Sequence, residues 1–438
     1  MAEYIEPKVL KGFRDFLPPS EMVRRSLMEK IENSFRSFGF VPIDTPALEY
    51  AEILLGKGGG ETEKQIYRFT DNGERDVALR FDLTVPFARF VAQHRAELTF
   101  PFKRYHIGKA WRGENTQHGR YREFIQCDFD IIGSDRAACD FEILFLIRAA
   151  LLDLGLDFTI HVNHRGLFNR FLISIGLQEK SVEILRAVDK LAKVGREETL
   201  KNLAAAADAD KAQKILDFTG AGGDFSQTLK RITELSGGPC AESERLSSLW
   251  QFMRDACVDE AGGCVPFVLD PSITRGLDYY TGVVFETFLN ELPEIGSICS
   301  GGRYDNLCAL YSKDKNSMCG VGASIGLDRL IAALENLGKL PDTKSCYAAI
   351  ACVNDEHSGI YQRLAQKLRK QGVFCEVFTE QGGEKQLVKQ FILAEKRGMR
   401  YVLIPGADPL KDPVTLRNLA ARQNSEMSLE QAIEKIKS

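Results

Sequence analysis

The stretch Phe102-Lys103-Arg104-Tyr105-His106-Ile107-Gly108-Lys109-Ala110-Trp111-Arg112-Gly113-Glu114-Asn115-Thr116-Gln117-His118-Gly119-Arg120-Tyr121-Arg122-Glu123-Phe124 decides how the whole chain is read. Its pattern is strand, long polar loop, strand. From Phe102 to Arg122 six Lys/Arg stand against one acid, a local charge of about +5 in a chain whose formal net charge is −4. Guanidinium groups bind phosphate oxygens bidentately, so this concentration at one hairpin suits an anionic ligand such as a triphosphate. The plain alternative is a solvated edge hairpin, because edge strands are commonly charged.

Outward from this hairpin, strand patterns recur at Gln65–Phe69, Val77–Phe81, Lys103–Arg112 and Phe124–Ile132. Consecutive strands with few helices between them predict an antiparallel sheet and not a doubly wound one. Upstream, a helical pattern runs from Ser20, a plausible N-cap, to about Phe38, with Gly39 as the stop. Lys57-Gly58-Gly59-Gly60-Glu61 reads as a mobile loop. Between about Arg165 and Gly262 the chain turns helix-rich. There Ala204 to Ala207 continues into Asp-Ala-Asp-Lys-Ala, a high-propensity helix. Strand patterns resume at Val265–Leu269 and Thr281–Phe288, so the helical segment reads as an insertion. A linker with Pro341 precedes a small α/β unit. Its strands are expected at Tyr347–Val353, Phe374–Phe378 and Tyr401–Pro405, its helices at Gly359–Gln371 and Glu384–Arg397. The expected domains are therefore a core in two parts (1–165 and 263–338), a helical insertion (166–262), and a C-terminal unit (345–438).

A chain of 438 residues, 44% hydrophobic and 27% charged, can bury ordinary cores in several domains. No apolar run is long enough to span a bilayer, and Met1 to Pro7 is too acidic for a signal peptide, so a cytoplasmic protein is expected. The eleven cysteines show no CxxC pair. Cys127 and Cys299 could be read as ligands or nucleophiles, but no His/Cys cluster accompanies them, and free, buried thiols with no protein-bound metal are expected. His106 lies in a strand pattern and reads as structural.

The segment Arg112-x-Glu114 through Gly119-Arg120-Tyr121-Arg122-Glu123-Phe124 resembles motif 2 of class II aminoacyl-tRNA synthetases. Gly320-Val321-Gly322-Ala323-Ser324-Ile325-Gly326-Leu327-Asp328-Arg329-Leu330 resembles their motif 3. Gly39 to Glu49, with Pro42 and Thr45-Pro46-Ala47-Leu48-Glu49, resembles motif 1, the dimer-forming element. Any one is a weak signal; the three in order are strong. Arg275-Gly276-Leu277-Asp278-Tyr279-Tyr280-Thr281-Gly282 looks like the histidine-specific motif of the histidyl-tRNA synthetase family. Cys299-Ser300-Gly301-Gly302-Arg303-Tyr304 resembles the glycine-rich strand that follows it. Asp82 and Asp130 stand where many bacterial members carry Glu, which shortens each carboxylate by one methylene.

The resemblance implies an α+β fold: an antiparallel-sheet class II catalytic core with a helical insertion, then a small α/β anticodon-binding domain. It implies ATP-dependent activation of L-histidine, with Mg2+ on the outer phosphates, and transfer to the 3′-hydroxyl of tRNA(His) by a homodimer. Carried over by position, Asp82, Leu83 and Thr84 would hold the α-ammonium and Gln126 the amino-acid backbone. Asp130 and Tyr280 would pair with the imidazole nitrogens, with Tyr279 lining the pocket. Arg112 and Arg275 would meet the α-phosphate as the catalytic pair. Arg120, Arg329 and Glu114 would complete the ATP site. Gln117 and His118, at the loop tip, would touch the tRNA acceptor end. The family also uses the insertion to embrace that arm. The C-terminal unit, with 14 Lys/Arg and 11 Asp/Glu from Ser345 to Ser438, is only mildly basic. Anticodon reading would then rest on splayed bases rather than phosphate attraction.

Two other readings compete. A regulatory paralogue would keep the fold and sense histidine, but such paralogues typically lack the C-terminal domain and the arginine stretch at Arg275. An RNA-binding or stress-sensing module has no need of the triphosphate clamp formed by Arg112, Arg275 and Arg329.

Overall fold

The computed structural model describes residues 4–56, 61–220, 223–258, 267–274, 279–313, 317–341, 343, 347–379, 384–411 and 413–437. The chain divides into two compact units, Met1–Leu340 and Pro341–Ser438.

An eight-stranded sheet organises the first unit. Its strands lie in the order Val41–Pro42, Phe102–Trp111, Glu123–Ile132, Gly320–Gly326, Cys299–Tyr304, Val283–Leu289, Phe158–His164 and Phe267–Leu269. The pairings are antiparallel except at the two edges, where Val41–Pro42 and Phe267–Leu269 each join in parallel. The predicted hairpin is its centre: Phe102 faces Ile132, and the register holds to Trp111 opposite Glu123. Alternation along Glu123–Ile132 sorts the two faces of the sheet. Ile125, Cys127, Phe129 and Ile131 enter the main core. Gln126, Asp128 and Asp130, all buried, occupy the opposite face.

The core face is covered by Leu327–Asn336, through Leu330 and Leu334, and by two longer helices. Pro18–Ser37 buries Leu27, Ile31 and Phe35 at four-residue spacing. Ala137–Asp153 is apolar nearly all round, as a helix enclosed by neighbours should be. Helices from Arg165–Ser174 to Ala241–Ala256 share this same core through Phe168, Phe171, Phe218 and Leu249. The opposite face carries the Thr84–Gln93 helix, whose Phe87, Ala88 and Val91 pack with Tyr280, Val284 and Tyr304.

Several expected boundaries move for identifiable reasons. The first helix begins at Pro18, two residues before Ser20, because proline suits a first turn that needs no N–H donors. Ser20 instead donates its hydroxyl to the Leu17 carbonyl at 2.8 Å. Gly39 does end the helix region, at φ +79°. The strand expected at Gln65–Phe69 is split into a short helix, Glu61–Gln65, and a strand, Arg68–Thr70. The rest of the expected glycine loop, 57–60, lies outside the described residues, as do Val265 and Pro266. The alanine run ends a helix, Leu191–Ala206, instead of continuing one. Asp208 accepts from the Lys211 amide at 2.9 Å and starts the next helix, so capping overrides alanine's propensity.

The second unit is a five-stranded mixed sheet in the order Phe374–Val377, Tyr347–Ile350, Tyr401–Ile404, Val414–Asn418 and Gln423–Met427. The first three strands are parallel, as the strand–helix alternation predicts. The last two form an antiparallel hairpin that sequence reading missed. Gln423–Met427 is almost wholly polar and carries no alternating apolar signal.

A buried ionic joint ties the helical segment to the sheet. Asp140, fully buried, accepts from Arg303 at 2.6 and 2.9 Å and from Arg245 at 2.5 Å. Those three residues belong to the Ala137–Asp153 helix, the Cys299–Tyr304 strand and the Ala241–Ala256 helix. Asp140→Asn would leave Arg303, only 2% exposed, without its main counter-charge. A loss of about 3–5 kcal/mol is expected for breaking such a pair. Both tryptophans, Trp111 and Trp250, lie in this unit. Their fluorescence during urea unfolding therefore measures the loss, and a change below about 1 kcal/mol would contradict the assignment.

Candidate active site

A cavity of about 230 Å³ opens on the polar face of the sheet. Asp82, Thr84, Arg112, Glu114, Arg120, Gln126, Asp130, Tyr279, Tyr280 and Arg329 all line it. Residues separated by almost 250 positions in sequence thus meet at one place. Leu83 is fully buried and sets the helix start between Asp82 and Thr84 without reaching the cavity wall. Gln117 and His118 stand apart, exposed on a tight turn closed by Gln117–Arg120 backbone bonds, with Gly119 at φ +75°. Arg275 lies outside the described residues.

The acid groups sit at the sheet. Asp82 precedes the Thr84–Gln93 helix, and its Oδ1 accepts from the Val85 amide at 3.0 Å. Its Oδ2 is buried with no hydrogen-bond partner among the described residues. Burial pushes Asp82 up to about 6, against the opposing pull of helix amides and Arg112. Asp130 accepts from the Tyr304 hydroxyl at 2.5 Å. Its other oxygen lies 2.5 Å from Arg104 Nη2, a charge contact without hydrogen-bond alignment. Burial raises Asp130 while Arg104 opposes the shift. Asp128, the next even-numbered residue along the strand, is pushed by burial up to about 7. Arg104 itself is fully buried beneath the Phe87 ring, 4.1 Å from its centroid.

The basic groups sit toward the hairpin loop. Arg112 Nε donates to the Phe81 carbonyl at 2.9 Å, which fixes the guanidinium plane. Arg120 lies 3.7 Å from Glu114. Arg329, in the first turn of Leu327–Asn336, donates to the Ser297 carbonyl. Burial lowers Arg329 to about 10, and the positive charges of Arg120 and Arg112 push the same way. Mutually repelling guanidinium groups around one space make an anion site. Arg112 bears on both regions, since it attracts Asp82 and repels Arg329.

Glycine makes room for this arrangement. A Cβ on Gly322 would fall 1.9 Å from Asp130 Oδ1, and one on Gly302 would fall 2.8 Å from the Tyr280 ring. Asp130 cannot swing aside easily, held as it is by Tyr304 and Arg104.

Sequence reading missed Arg104 and Tyr304 as partners of Asp130. Arg104 was legible only as one more hairpin cation, although its even-numbered register with Asp130 was there to be used. It also missed Arg14, which bonds Asp328 and stacks 3.3 Å from the Tyr121 ring centroid beside the cavity. His106 is buried outside the cavity lining, its Nε2 3.0 Å from Asp44 Oδ1. Burial and the neighbouring Arg104 lower it to about 3, so it stays neutral and structural. No disulfide joins the described cysteines.

One acidic group among the described residues has metal-ligand spacing: Asp135, Asp305 and Cys319. It does not line the cavity, and Arg303 already pairs with both carboxylates. A thiol is also a poor ligand for a hard cation. Glu114, by contrast, lines the cavity 3.7 Å from Arg120, and its charge also acts on Arg329.

Comparison with known proteins gives consistent results over the full length. A family model described as histidyl-tRNA synthetase matches residues 12–330. One described as anticodon binding domain matches residues 347–438. The histidine–tRNA ligase of Treponema denticola is 51% identical over 455 residues, covering 100% of this chain and 99% of that protein. The corresponding Rhodopirellula baltica protein is 46% identical over 431 residues, covering 97% of this chain and 96% of its own. Among solved structures, histidyl-tRNA synthetase from a Nostoc species superposes with a TM-score of 0.86 at 31% identity, covering 99% of both chains. A Bacillus halodurans protein titled as an ATP phosphoribosyltransferase regulatory subunit/histidyl-tRNA synthetase shares the fold at 22% identity and a TM-score of 0.74, covering 92% of this chain and 99% of that chain.

Proposed function

The chain belongs to the histidyl-tRNA synthetase family, and from that premise we propose how its residues divide the work of the reaction. The enzyme joins histidine to tRNA at the expense of ATP, and histidine, ATP and tRNA are its substrates. In the first step a histidine carboxylate oxygen attacks the α-phosphorus, a new P–O bond forms, and the bond to pyrophosphate breaks. In the second, the 3′-hydroxyl of the terminal adenosine attacks the activated carbonyl and the nucleotide leaves.

The observation that carries the assignment is the charge division of the cavity, with Arg112 at its junction. Asp82, with its partnerless Oδ2, and Thr84 receive the α-ammonium, and the Leu83 backbone holds them in place. Gln126 orients the amino-acid backbone. Asp130 faces one imidazole nitrogen and Tyr280 the other, Tyr279 closing the wall. Tyr304 and Arg104 favour the ionised form of Asp130 and align it. An apolar competitor would leave these polar groups buried and unpaired, the strong form of discrimination. Arg112 meets the α-phosphate between the two substrates, where charge develops as phosphorus becomes pentacoordinate. Arg120 and Arg329 hold the outer phosphates or adenine. Mg2+ would bind those phosphates beside Glu114 and neutralise the departing pyrophosphate. Arg275 is assigned to the α-phosphate beside Arg112 on its place in the histidine-specific motif alone. No side chain is assigned as general base for the transfer step; an oxygen of the adenylate phosphate can take that proton. Gln117 and His118, exposed beside the cavity mouth, contact the acceptor end.

The wider organisation follows the same reading. Residues 1–165 and 263–338 form the catalytic core, 166–262 an insertion that embraces the acceptor arm, and 345–438 the anticodon-binding domain. The enzyme works as a homodimer. Val41, Leu48, Tyr50 and Phe69 are large apolar groups left exposed, and Val41 lies on the sheet's edge strand, which supports self-association there. The place of action is the cytoplasm; among the described residues no helix is long and apolar enough to cross a membrane.

Histidine-dependent ATP–pyrophosphate exchange, run without tRNA, tests the catalytic reading. Exchange should occur with histidine and with no other amino acid. Arg112→Ala should reduce it by about 10²-fold or more, the loss typical of one preorganised donor. Absence of exchange in the intact protein would favour a histidine sensor instead.

The acid end makes a second prediction. Moving Asp82 from 3.8 to about 6 means that its ionised form costs the free fold about 3 kcal/mol at neutral pH. For a carboxyl shifted upward, that cost is present above about pH 6 and fades as pH falls toward 4. A bound ammonium offsets the cost, so histidine should raise the melting temperature most above pH 6 and less as pH falls through it. The imidazole of histidine titrates nearby, so Asp82→Asn is the control and should flatten that pH dependence. An unchanged profile in Asp82→Asn would contradict the role given to Asp82.

A further inference from the structure

Asp128 has no part in the scheme above, yet it is an acid only 1% exposed, set between two residues that line the cavity. It sits between Gln126 and Asp130 on the same face of the strand, with His106 opposite on one neighbouring strand and Ser324 opposite on the other. Three contacts define what it does. The Ser324 side chain, paired across the sheet with Asp128, favours the charge of that carboxyl. The Gln126 amide nitrogen donates to the Ser324 oxygen at 2.8 Å. The same nitrogen lies 3.4 Å from Asp128 Oδ1. In its ionised form Asp128 only accepts, so the serine proton turns toward it and the serine oxygen is left as an acceptor. Only the NH2 end of Gln126 can satisfy that triangle. The other end, Oε1, is thereby turned away, and it is buried without a hydrogen-bond partner in a residue that lines the cavity. Asp82 Oδ2 shares that condition in the same cavity wall.

We infer that Asp128 is a positioning residue: acting through Ser324, it locks the Gln126 carboxamide with its oxygen presented to the α-ammonium of the bound amino acid. A carboxamide is a two-way group, and reversed it would point NH2 at a cation. The lock converts Gln126 into an acceptor that works with Asp82. His106, being neutral, does not compete for the Asp128 charge, whereas Arg104 favours it. This inference rests on the assignment of histidine to the cavity and specifies how its amino group is recognised.

The test compares L-histidine with imidazolepropionate, which keeps the ring and carboxylate but lacks the amino group. Binding of each is measured by calorimetry to the full-length wild type, Asp128→Asn, Ser324→Ala and Ser324→Thr. The Asp128→Asn amide can donate to Gln126 and so release the lock. Ser324→Ala removes the middle member of the triangle, while Ser324→Thr keeps the hydroxyl. Asp128→Asn and Ser324→Ala should each weaken histidine about 10-fold and leave imidazolepropionate within about twofold, so selectivity for the amino group collapses. Ser324→Thr should restore it. ATP affinity should not move. Equal losses for both ligands would mean that Asp128 only supports the fold, and the inference would fall. It would fall equally if both variants kept wild-type selectivity. Should Asp128→Asn not fold, the Ser324 pair decides alone. A wild-type protein that binds neither ligand would instead overturn the histidine assignment, and this inference with it.

Discussion

A guanidinium with no access to water, that of Arg104, is the constraint from which the site follows. It is surrounded by Asp130, Asp128 and Asp82, whose carboxyls all feel its charge and are all raised by burial. Arg104, joined at Asp82 by Arg112, does not cancel that burial, and all three carboxyls stay raised. The free protein therefore holds acids whose ionised forms burial makes costly and an incoming cation would relieve. An amino acid brings an ammonium to this place, and histidine adds a ring able to donate to Asp130. The electrostatic cost built into the fold becomes selectivity when the proposed ligand arrives.

The sheet makes that concentration of charge possible. A strand with two-residue periodicity can hold Cys127, Phe129 and Ile131 in an apolar core while Gln126, Asp128 and Asp130 face the other way. The neighbouring strand answers in register, with Arg104 opposite Asp130 and His106 opposite Asp128. On the other side, Gly322 opposite Asp130 leaves space that any side chain would fill. The loop of the hairpin then carries Arg112 and Arg120 past the carboxylates to meet Arg329. Acid floor and basic rim come from one continuous piece of chain.

Much of this was legible in the sequence because it was written in short-range patterns. The central hairpin, the antiparallel sheet and the parallel half of the second unit all followed from alternation and from strand–helix order. The motif residues pointed to a set of positions of which ten meet at one cavity. What escaped was of another kind. Arg104 looked like its exposed neighbours, since charge alone does not reveal burial. Tyr304 and Arg14 act across some 170 and 310 positions of sequence, and no local pattern announces such partners. The alanine run was read as leading through one helix where there are two, because one capping aspartate outweighed several good helix formers. The C-terminal hairpin was missed because its first strand buries only Val414 and Leu416 and its polar second strand buries no residue.

The partnerless carboxylate oxygen of Asp82 and the Asp130–Tyr304 pair are assigned to opposite ends of one histidine molecule. A crystal structure of the protein with histidine bound tests that assignment most directly. The α-ammonium is expected within about 2.7–3.2 Å of Asp82 Oδ2. An imidazole nitrogen is expected at similar distance from Asp130, with the carboxylate of histidine turned toward Arg112. A histidine bound the other way round, its ring against Asp82 and its ammonium at Asp130, would contradict the assignment.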